Sequence, residues 1–328
     1  MKKKTHIIAE AGVNHNGNLK TAFKLIDKAK YCGADTVKFQ SYKTEEICLE
    51  KASLSKYQRN GKFKNQFDLL KKYELNQDQI ISLYKYAKKK KIEFMLSFFD
   101  TKSLEIIKKI NLNYIKVPSG EISNELLLRK ISKLKKKIIL STGMSNIKEI
   151  KNALKILLSN GLSKKKITLL YCISSYPTHP NEIFLPEIKN FKKKFKINIG
   201  FSDHSKGKEA ALGSVIMGAS IIEKHLTLNN LIEGPDHKAS TEPEEFRDMV
   251  KSVRNLEKML IGKKKNRDYL NKKFVRKSLV ASRDINKGEI FTEHNITFKR
   301  PMLKNNSNKF FKIIGKKSKK NYFENDLI

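Results

Sequence analysis

The sequence predicts a (β/α)8 TIM barrel followed by a small, β-rich C-terminal domain. From about residue 5 to residue 260, short β-branched apolar runs alternate with amphipathic helical segments, a pattern typical of a parallel sheet covered by helices. Eight such runs favour a closed barrel, because an open doubly wound sheet would usually run out of strands sooner. Beyond residue 276 the pattern changes to short strands separated by turns, which indicates a second domain.

The predicted strands and helices follow each other in regular order. Strands are predicted at residues 6–12, 35–40, 92–99, 114–120, 137–143, 167–174, 197–204 and 220–227. Helices are predicted at residues 18–31, 76–89, 101–110, 146–158, 206–217 and 243–260. In the first of these helices, apolar side chains recur at helical spacing and form one amphipathic stripe.

These elements divide the chain into two domains and a linker. The barrel is predicted at residues 1–262, a charged linker at 263–275 and the C-terminal domain at 276–328. About fifty residues are few for independent stability, so we expect the C-terminal domain to dock on the barrel or on a second subunit.

The chain is strongly basic, with a formal net charge of +36 at pH 7. Of its 69 basic residues 61 are Lys, spread in short runs at the ends of predicted helices, where they complement the helix dipole and keep loops solvated. This distribution predicts no specific nucleic-acid site. No apolar stretch approaches the roughly 18 residues of a membrane helix, the N-terminus lacks a signal-peptide core, and three dispersed cysteines form no disulfide framework. We therefore expect a cytoplasmic protein without membrane contact.

All eight predicted strands end in polar or ionisable side chains. In a (β/α)8 barrel the carboxyl ends of the strands meet at one rim, where catalytic groups gather. The residues concerned are Glu10, Lys38, Gln40, Ser97, Lys116, Ser119, Glu121, Ser141, Ser174, Tyr176, Ser202, Asp203, His204, Glu223 and His225. A barrel without chemistry has no need for such a rim, so we predict an enzyme.

Two groups of residues at this rim point to specific chemistry. His204 and His225 follow adjacent strands and predict a divalent-metal site, since neutral imidazole suits Mn²⁺, Zn²⁺, Co²⁺ or Fe²⁺. Lys38 and Lys116, with several serine hydroxyls, predict a clamp for a phosphate or carboxylate. Either lysine could instead form a Schiff base with a carbonyl substrate, and the sequence pattern leaves both chemistries open.

Two carboxylates, Glu10 and Glu121, follow strands on opposite sides of the predicted barrel mouth. A carboxylate in this position can act as a general acid or base, or can bind substrate hydroxyls. The spacing alone leaves both roles open.

Sequence motifs along nearly the whole chain resemble those of one enzyme family. They are residues 8–17 (IAEAGVNHNG), 33–40 (GADTVKFQ), 116–121 (KVPSGE), 139–144 (ILSTGM), 200–205 (GFSDHS), 223–227 (EKHLT) and 234–237 (GPDH). This set resembles the sialic acid synthase family, which includes N-acetylneuraminate and N,N'-diacetyllegionaminate synthases. Residues 278–328 resemble the SAF (antifreeze-like, β-clip) domain that this family carries.

The resemblance implies a transferase that forms a carbon–carbon bond. Its reaction condenses phosphoenolpyruvate with an N-acetylated mannosamine-type sugar and water, and yields a nonulosonic acid and phosphate. The leading prediction is an N-acetylneuraminate synthase. One alternative is an N,N'-diacetyllegionaminate synthase acting on 2,4-diacetamido-2,4,6-trideoxymannose, and the others are a Schiff-base aldolase or a non-catalytic sugar-acid binding protein.

The resemblance also implies roles for individual residues. It assigns a divalent ion, Mn²⁺ or alternatively Mg²⁺ or Co²⁺, to His204 and His225. It makes Glu121 the proton-transfer residue and gives Glu10 the positioning of the sugar. Phosphoenolpyruvate would be held by Lys38, Ser97, Lys116, Ser119, Ser141, Ser174 and Ser202. The sugar would be held by Gln40, Tyr176, Asp236 and Arg300, with Arg300 reaching the partner's site in a domain-swapped homodimer.

The sequence departs from the family pattern in the C-terminal domain. The usual Lys-Arg-Pro-Gly-x-Gly is here Lys-Arg-Pro-Met-Leu-Lys at residues 299–304. Glycine adopts backbone conformations that Met and Leu resist, so we expect the turn after Arg300 to differ from that of the family.

Overall fold

Eight parallel strands close into a barrel in chain order, which confirms the predicted fold class. The computed structural model describes residues 4–54, 63–262, 267–303 and 307–328, with backbone alone for 267–270 and 307. The strands are β1 (His6–Gly12), β2 (Thr36–Ser41), β3 (Glu93–Phe98), β4 (Tyr114–Val117), β5 (Lys137–Ser141), β6 (Ile167–Cys172), β7 (Asn198–Asp203) and β8 (Ile221–His225). The barrel closes between β1 and β8, where His6 pairs with Ile221 and Glu10 with His225.

Helices connect most successive strands on the outside of the barrel. They are α1 (Leu19–Tyr31), α2 (Thr44–Ile47), α3 (Gln66–Tyr73), α4 (Gln77–Lys89), α5 (Glu125–Lys133), α6 (Ile147–Ser159), α7 (Glu187–Phe195), α8 (Glu209–Ile216) and α9 (Pro243–Ile261). The helix predicted at 101–110 is a 3-10 helix, Ser103–Lys108. Its larger rise per residue spans the short connection between β3 and β4 with fewer residues than an α-helix needs.

Asparagine side chains fix the start of five barrel helices. Each accepts a hydrogen bond from a backbone N–H in the first turn, which satisfies a donor that the helix itself leaves unpaired. These residues are Asn18, Asn65, Asn76, Asn124 and Asn146. These caps therefore fix the residue at which each of these five helices begins.

An apolar layer, which we call the floor, fills the barrel interior. It is formed by Ile8, Met95, Ile139, Leu170 and Ile221, with Tyr114 packed against it. Gly200 on β7 is required here, because a Cβ at this position would lie 2.6 Å from Leu170 Cδ2 and 2.7 Å from the backbone oxygen of Ile221. The floor makes the interior a packed core beneath the carboxyl ends of the strands.

The chain divides into two compact units, Met1–Ile261 and Gly262–Ile328. In the second unit, β9 (Ser278–Ala281) pairs antiparallel with β10 (Ile296–Lys299). A small core of its own is formed by Leu279, Ala281, Ile285, Phe291 and Ile296. A short helix, α11 (Phe310–Ile313), lies near the C-terminus.

The segment predicted as linker, residues 263–275, contains a helix, α10 (Arg267–Val275). Its backbone contributes to the turn after Arg300, since Lys273 accepts a hydrogen bond from the N–H of Met302 at 2.9 Å. The hydroxyl of Ser278 completes this turn by donating to the Pro301 carbonyl and accepting from the N–H of Leu303. Met302, where the family has its first glycine, is not among the described residues with positive φ. Residue 304, where the family has the second glycine, lies outside the described residues.

Candidate active site

One cavity of about 460 Å³ lies at the carboxyl ends of the barrel strands. The structure brings all fourteen site residues predicted in the barrel to its lining. They are Glu10, Lys38, Gln40, Ser97, Lys116, Ser119, Glu121, Ser141, Ser174, Tyr176, Ser202, His204, His225 and Asp236. The convergence follows from topology, because parallel strands in a closed barrel end at the same rim.

The depth of each residue in this cavity follows from the two-residue period of the strands. Two positions beyond the floor residues lies a polar layer that includes Glu10, Ser97, Lys116, Ser141 and Glu223. Another two positions along, nearer the mouth, come residues such as Gln40 after Lys38, Ser174 after Cys172, and His204 after Ser202. The cavity is therefore closed below by the apolar floor and is charged in its deepest part.

The deepest part holds alternating charges. Lys38 Nζ lies 2.8 Å from Glu10 Oε2 and 3.5 Å from Glu223 Oε2. Lys116 Nζ donates to Glu223 Oε1 at 3.0 Å, and Lys38 Nζ also donates to Ser97 Oγ at 2.8 Å. All four charged side chains are at least 94% buried. Two ammonium groups and two carboxylates thus neutralise each other in this part of the cavity.

Burial and charge shift the pKa values of this group in opposite directions. Burial raises the pKa of Glu10 and lowers that of Lys116, because the apolar floor disfavours both charged forms. Burial would also raise the pKa of Glu223, but Lys116 and Lys38 outweigh it and hold that pKa well below its usual range. Glu223 is consequently the carboxylate that stays ionised between the two lysines.

His204 and His225 face each other across the same cavity, with ring centroids 5.6 Å apart. His204 Nδ1 lies 2.6 Å from the carbonyl of Ile173, and since a carbonyl only accepts, Nδ1 carries the proton and Nε2 keeps its lone pair. Ser202 lies 3.3 Å from this Nε2, but its hydroxyl donates to Glu223 at 2.9 Å. A basic nitrogen is therefore left available in the cavity.

His225 offers a second buried nitrogen. Within the described part of the chain its Nδ1 has no hydrogen-bond partner, and Asp236 Oδ2 is 3.7 Å away. Burial lowers the pKa of both histidines, which favours the neutral imidazoles that bind metals. The described residues form no cluster of three or more His, Cys, Asp or Glu that could hold a metal. The two neutral imidazole nitrogens that face the cavity are of the kind that divalent metals such as Mn²⁺ or Co²⁺ accept as ligands.

The hydroxyl groups of Ser119, Ser141 and Ser174 also line the cavity. Behind them, the N–H of Gly143 donates to Ser119 Oγ at 3.0 Å and to Cys172 Sγ at 3.1 Å. A Cβ at residue 143 would lie 2.4 Å from Ser174 Oγ, so only glycine allows this approach. The three hydroxyl groups suit the oxygens of an anion.

Three residues predicted for acid–base or sugar contacts lie on loops around the mouth. Glu121, on a 3-10 turn after β4, accepts a hydrogen bond from Asn124, and burial raises its pKa. The Tyr176 ring lies 4.2 Å from that of His204. Burial raises the pKa of Asp236 to about 7, and Glu10 adds to the effect. The remaining predicted residue, Arg300, follows β10 in the second unit and is exposed.

An apolar wall of the cavity escaped the sequence analysis. It is formed by Ile47, Leu69, Leu70 and Tyr73 from α2 and α3. No element was predicted between residues 41 and 75, although the unusual length of this β2–α4 interval was the available signal. Glu223 was named only as a neighbour of the histidines, and its pairing with both lysines was also missed.

Fold and site together define a (β/α)8 barrel enzyme for an anionic substrate. The chain belongs to the NeuB family, whose model matches residues 25–265, and a SAF domain model matches residues 276–328. These matches confirm the predicted family and the predicted nature of the C-terminal domain.

Individual relatives support the same assignment. The chain is 44% identical to an N,N'-diacetyllegionaminic acid synthase of Campylobacter jejuni, over 99% of each chain. It is 33% identical to the human N-acetylneuraminate-9-phosphate synthase, over 98% of this chain and 90% of that one. The crystal structure of an N-acetylneuraminic acid synthetase from Leptospira borgpetersenii superposes with a TM-score of 0.72 at 33% identity, covering 82% and 91% of the two chains. The chain is thus a phosphoenolpyruvate-dependent nonulosonic acid synthase, an enzyme that forms a carbon–carbon bond.

Proposed function

We propose that the chain is an N,N'-diacetyllegionaminate synthase, which condenses phosphoenolpyruvate with 2,4-diacetamido-2,4,6-trideoxymannose and water. The observation that carries this proposal is the 44% identity, over 99% of both chains, to the Campylobacter jejuni N,N'-diacetyllegionaminic acid synthase. The sequence analysis had ranked N-acetylneuraminate synthase first and this activity second. The comparisons favour the second.

The apolar wall supports a sugar with fewer hydroxyls. The sugar of this proposal carries a methyl group at C6 and an acetamido group at C4, where N-acetylmannosamine has hydroxyls. Ile47, Leu69 and Leu70 offer these groups apolar contact and offer a hydroxyl or phosphate no hydrogen bond from their side chains. The wall adjoins the predicted sugar-binding Asp236: burial raises the pKa of Tyr73, and the charge of Asp236 adds to the effect.

Phosphoenolpyruvate fits the deepest part of the cavity. Lys38 and Lys116 supply positive charge, while Ser97, Ser119, Ser141, Ser174 and Ser202 supply hydroxyl donors. An anion bound there would take over the role of Glu223 as partner of the lysines. The exchange of one buried anion for another leaves both ammonium groups paired.

In the reaction, C3 of phosphoenolpyruvate bonds to the aldehyde carbon of the open-chain sugar, whose oxygen gains a proton. Water adds to C2 and gives up a proton, and loss of phosphate from C2 leaves the ketone of the product. We assign Glu121 to the proton transfer, because it lines the cavity and burial raises its pKa, which favours the protonated form that can donate. Glu10, fixed by Lys38, orients the sugar.

His204 and His225 would hold the divalent ion, for which we propose Mn²⁺, with Mg²⁺ or Co²⁺ as alternatives. When bound, the ion supplies positive charge for the developing alkoxide of the sugar. The two neutral nitrogens described above are the support for this assignment. We further propose that the enzyme works in the cytoplasm as a homodimer in which Arg300 binds the N-acetyl group in the partner's site.

Phosphate release from phosphoenolpyruvate, measured with each candidate sugar, tests the proposal. We expect kcat/KM to be highest with 2,4-diacetamido-2,4,6-trideoxymannose, and the His204→Ala variant serves as the inactive control. A higher value with N-acetylmannosamine or its 6-phosphate would replace the proposed sugar. Binding of the sugar without phosphate release would favour a binding protein, and a borohydride-trapped pyruvate adduct formed in excess chelator would favour a Schiff-base aldolase.

A further inference from the structure

A buried ion pair lies behind the two histidines, on the side away from the cavity. Lys224 Nζ is 2.7 Å from Asp203 Oδ2, and the two side chains are 1% and 0% exposed. We propose that this pair is a positioning device that fixes His204 and His225 relative to each other. The proposal rests on the metal site of the proposed function, and neither Asp203 nor Lys224 lines the cavity.

Strand periodicity places the pair next to both histidines, on the opposite face of the sheet. Asp203 and Lys224 are register partners on β7 and β8, and each precedes one of the histidines in the sequence. Because successive side chains point to opposite faces, Ser202 and Glu223 line the cavity while Asp203 and Lys224 point away from it. The ion pair therefore joins β7 and β8 at the residue that precedes each histidine.

Lys224 holds the chain on both sides of His204. Its Nζ donates to Asp203, which precedes the histidine, and at 2.6 Å to the carbonyl of Ser205, which follows it. Asp203 Oδ1 accepts from both the N–H and the hydroxyl of Ser205, at 2.9 and 2.6 Å. The turn that carries His204 is thus tied at each end to the strand that carries His225.

The alternative is that the pair only stabilises the barrel. Two residues earlier, on the same face, the same two strands are joined by the apolar partners Phe201 and Ile222, both buried. Replacing apolar packing with a buried ion pair gives little stability, because desolvation offsets the attraction, but it does impose a single geometry. The change from an apolar pair to an ion pair occurs where geometry matters most for a two-histidine site.

Mn²⁺ binding measured by electron paramagnetic resonance tests this role without reference to turnover. The test variant is D203N/K224M, which removes both charges together and so leaves no unpaired buried charge, while an amide at residue 203 can still accept from Ser205. We expect a ten- to hundredfold weaker Mn²⁺ affinity, the effect typical of removing groups that orient metal ligands. Circular dichroism should show an unchanged fold.

The matched control breaks an ion pair at the other end of the barrel. Arg254 Nη2 lies 2.6 Å from Asp35 Oδ2, just before β2, and R254M should lower the melting temperature without changing the Mn²⁺ affinity. Wild-type Mn²⁺ affinity in D203N/K224M would overturn the inference and leave the proposed function intact. Absence of Mn²⁺, Mg²⁺ and Co²⁺ binding in the wild type would overturn the metal site itself, and the inference with it.

Discussion

The two units of this chain treat charge in opposite ways. The barrel unit buries charged side chains deeply, including Glu10, Lys38, Lys116 and Glu223. Among the described residues of the C-terminal unit the buried polar side chains are the uncharged Ser278, Asn295 and Ser318. Arg300, the residue with a proposed role there, is exposed.

This difference separates two ways of contributing to a reaction. Buried charges are tolerated only where the fold pairs them, so the barrel must hold its reactive groups in place even without substrate. An exposed arginine on a small domain has no such constraint and gains a defined geometry only when it binds its target. We therefore expect changes in the barrel to abolish turnover. Changes in the C-terminal unit should instead weaken the binding of one substrate.

The largest effect should come from the histidines of the barrel. His204→Ala or His225→Ala should reduce kcat/KM at least about a thousandfold, because the charge that the ion supplies to the sugar oxygen is lost. Excess EDTA should inactivate the wild type in the same way, and Mn²⁺ should restore it, as measured by phosphate release. Full activity in EDTA after dialysis would contradict the metal assignment.

An intermediate effect is expected for Arg300→Ala. The variant loses a hydrogen bond from a charged donor to a neutral carbonyl, which is worth about 1.5–3 kcal/mol, or roughly ten- to a hundredfold in kcat/KM for the sugar. KM for phosphoenolpyruvate should not change, because the site proposed for that substrate consists of barrel residues. An equal loss for both substrates would show that the C-terminal unit supports the whole site rather than the sugar alone.

Mixed dimers sharpen this second prediction. If Arg300 acts on the partner's site, an Arg300→Ala chain paired with a His204→Ala chain places both lesions in one site and leaves the other intact. Such heterodimers should be more active than either parent homodimer. Tagged heterodimers that form and show no gain would mean that Arg300 acts within its own chain or not at all.

The smallest expected effect is a change in the free energy of unfolding with pH, caused by His237 of the barrel unit. Burial lowers the pKa of His237 to about 4, from the usual 6.5 of a histidine. As the pH falls below 6.5, His237 is protonated in the unfolded state before it is protonated in the folded state. The stability that neutral His237 contributes is therefore complete above pH 6.5 and is lost as the pH falls toward 4. Between pH 7 and pH 5 the loss should be about 1–2 kcal/mol in the free energy of unfolding.

Urea denaturation at the two pH values measures this difference. His237→Asn should flatten it, although the variant also loses the hydrogen bonds of His237 with Thr227 and Asn16 and so is less stable at both values. The exposed His294 of the C-terminal unit provides the control, because His294→Asn should leave the pH dependence unchanged. An unaltered slope in His237→Asn would contradict the predicted proton linkage.

The barrel and its site residues could be predicted from the sequence, because the alternation of apolar strands and amphipathic helices shows which residues end each strand. Once eight strands are recognised, closure brings residues as distant as Glu10 and Glu223 to one rim. Which charges pair there depends on the tilt and stagger of the strands, which alternation does not encode, so the position of Glu223 between the two lysines was not predicted. The apolar wall was missed because it is built by α2 and α3 within one long loop.

The domain type of the C-terminal unit was predicted from the sequence, but its helix α10 was not. Charge and low hydrophobicity suggested a linker at 263–275, where α10 is observed, because tertiary contacts such as that of Lys273 with Met302 stabilise a helix of weak pattern. The turn after Arg300 was expected to suffer from the loss of glycine. Ser278 donates to the Pro301 carbonyl and accepts from the N–H of Leu303, and the part of the turn described, up to residue 303, has no positive φ.

The apolar floor has a consequence for the order of events in turnover. A cavity closed below by Ile8, Met95, Ile139, Leu170 and Ile221 has one opening, so both substrates must enter from the same side. Lys38 and Lys116 lie next to the floor, whereas Gln40 and Tyr176 lie nearer the mouth. If phosphoenolpyruvate binds beside these lysines as proposed, it must enter before the sugar, and the phosphate released there must leave after the acid product.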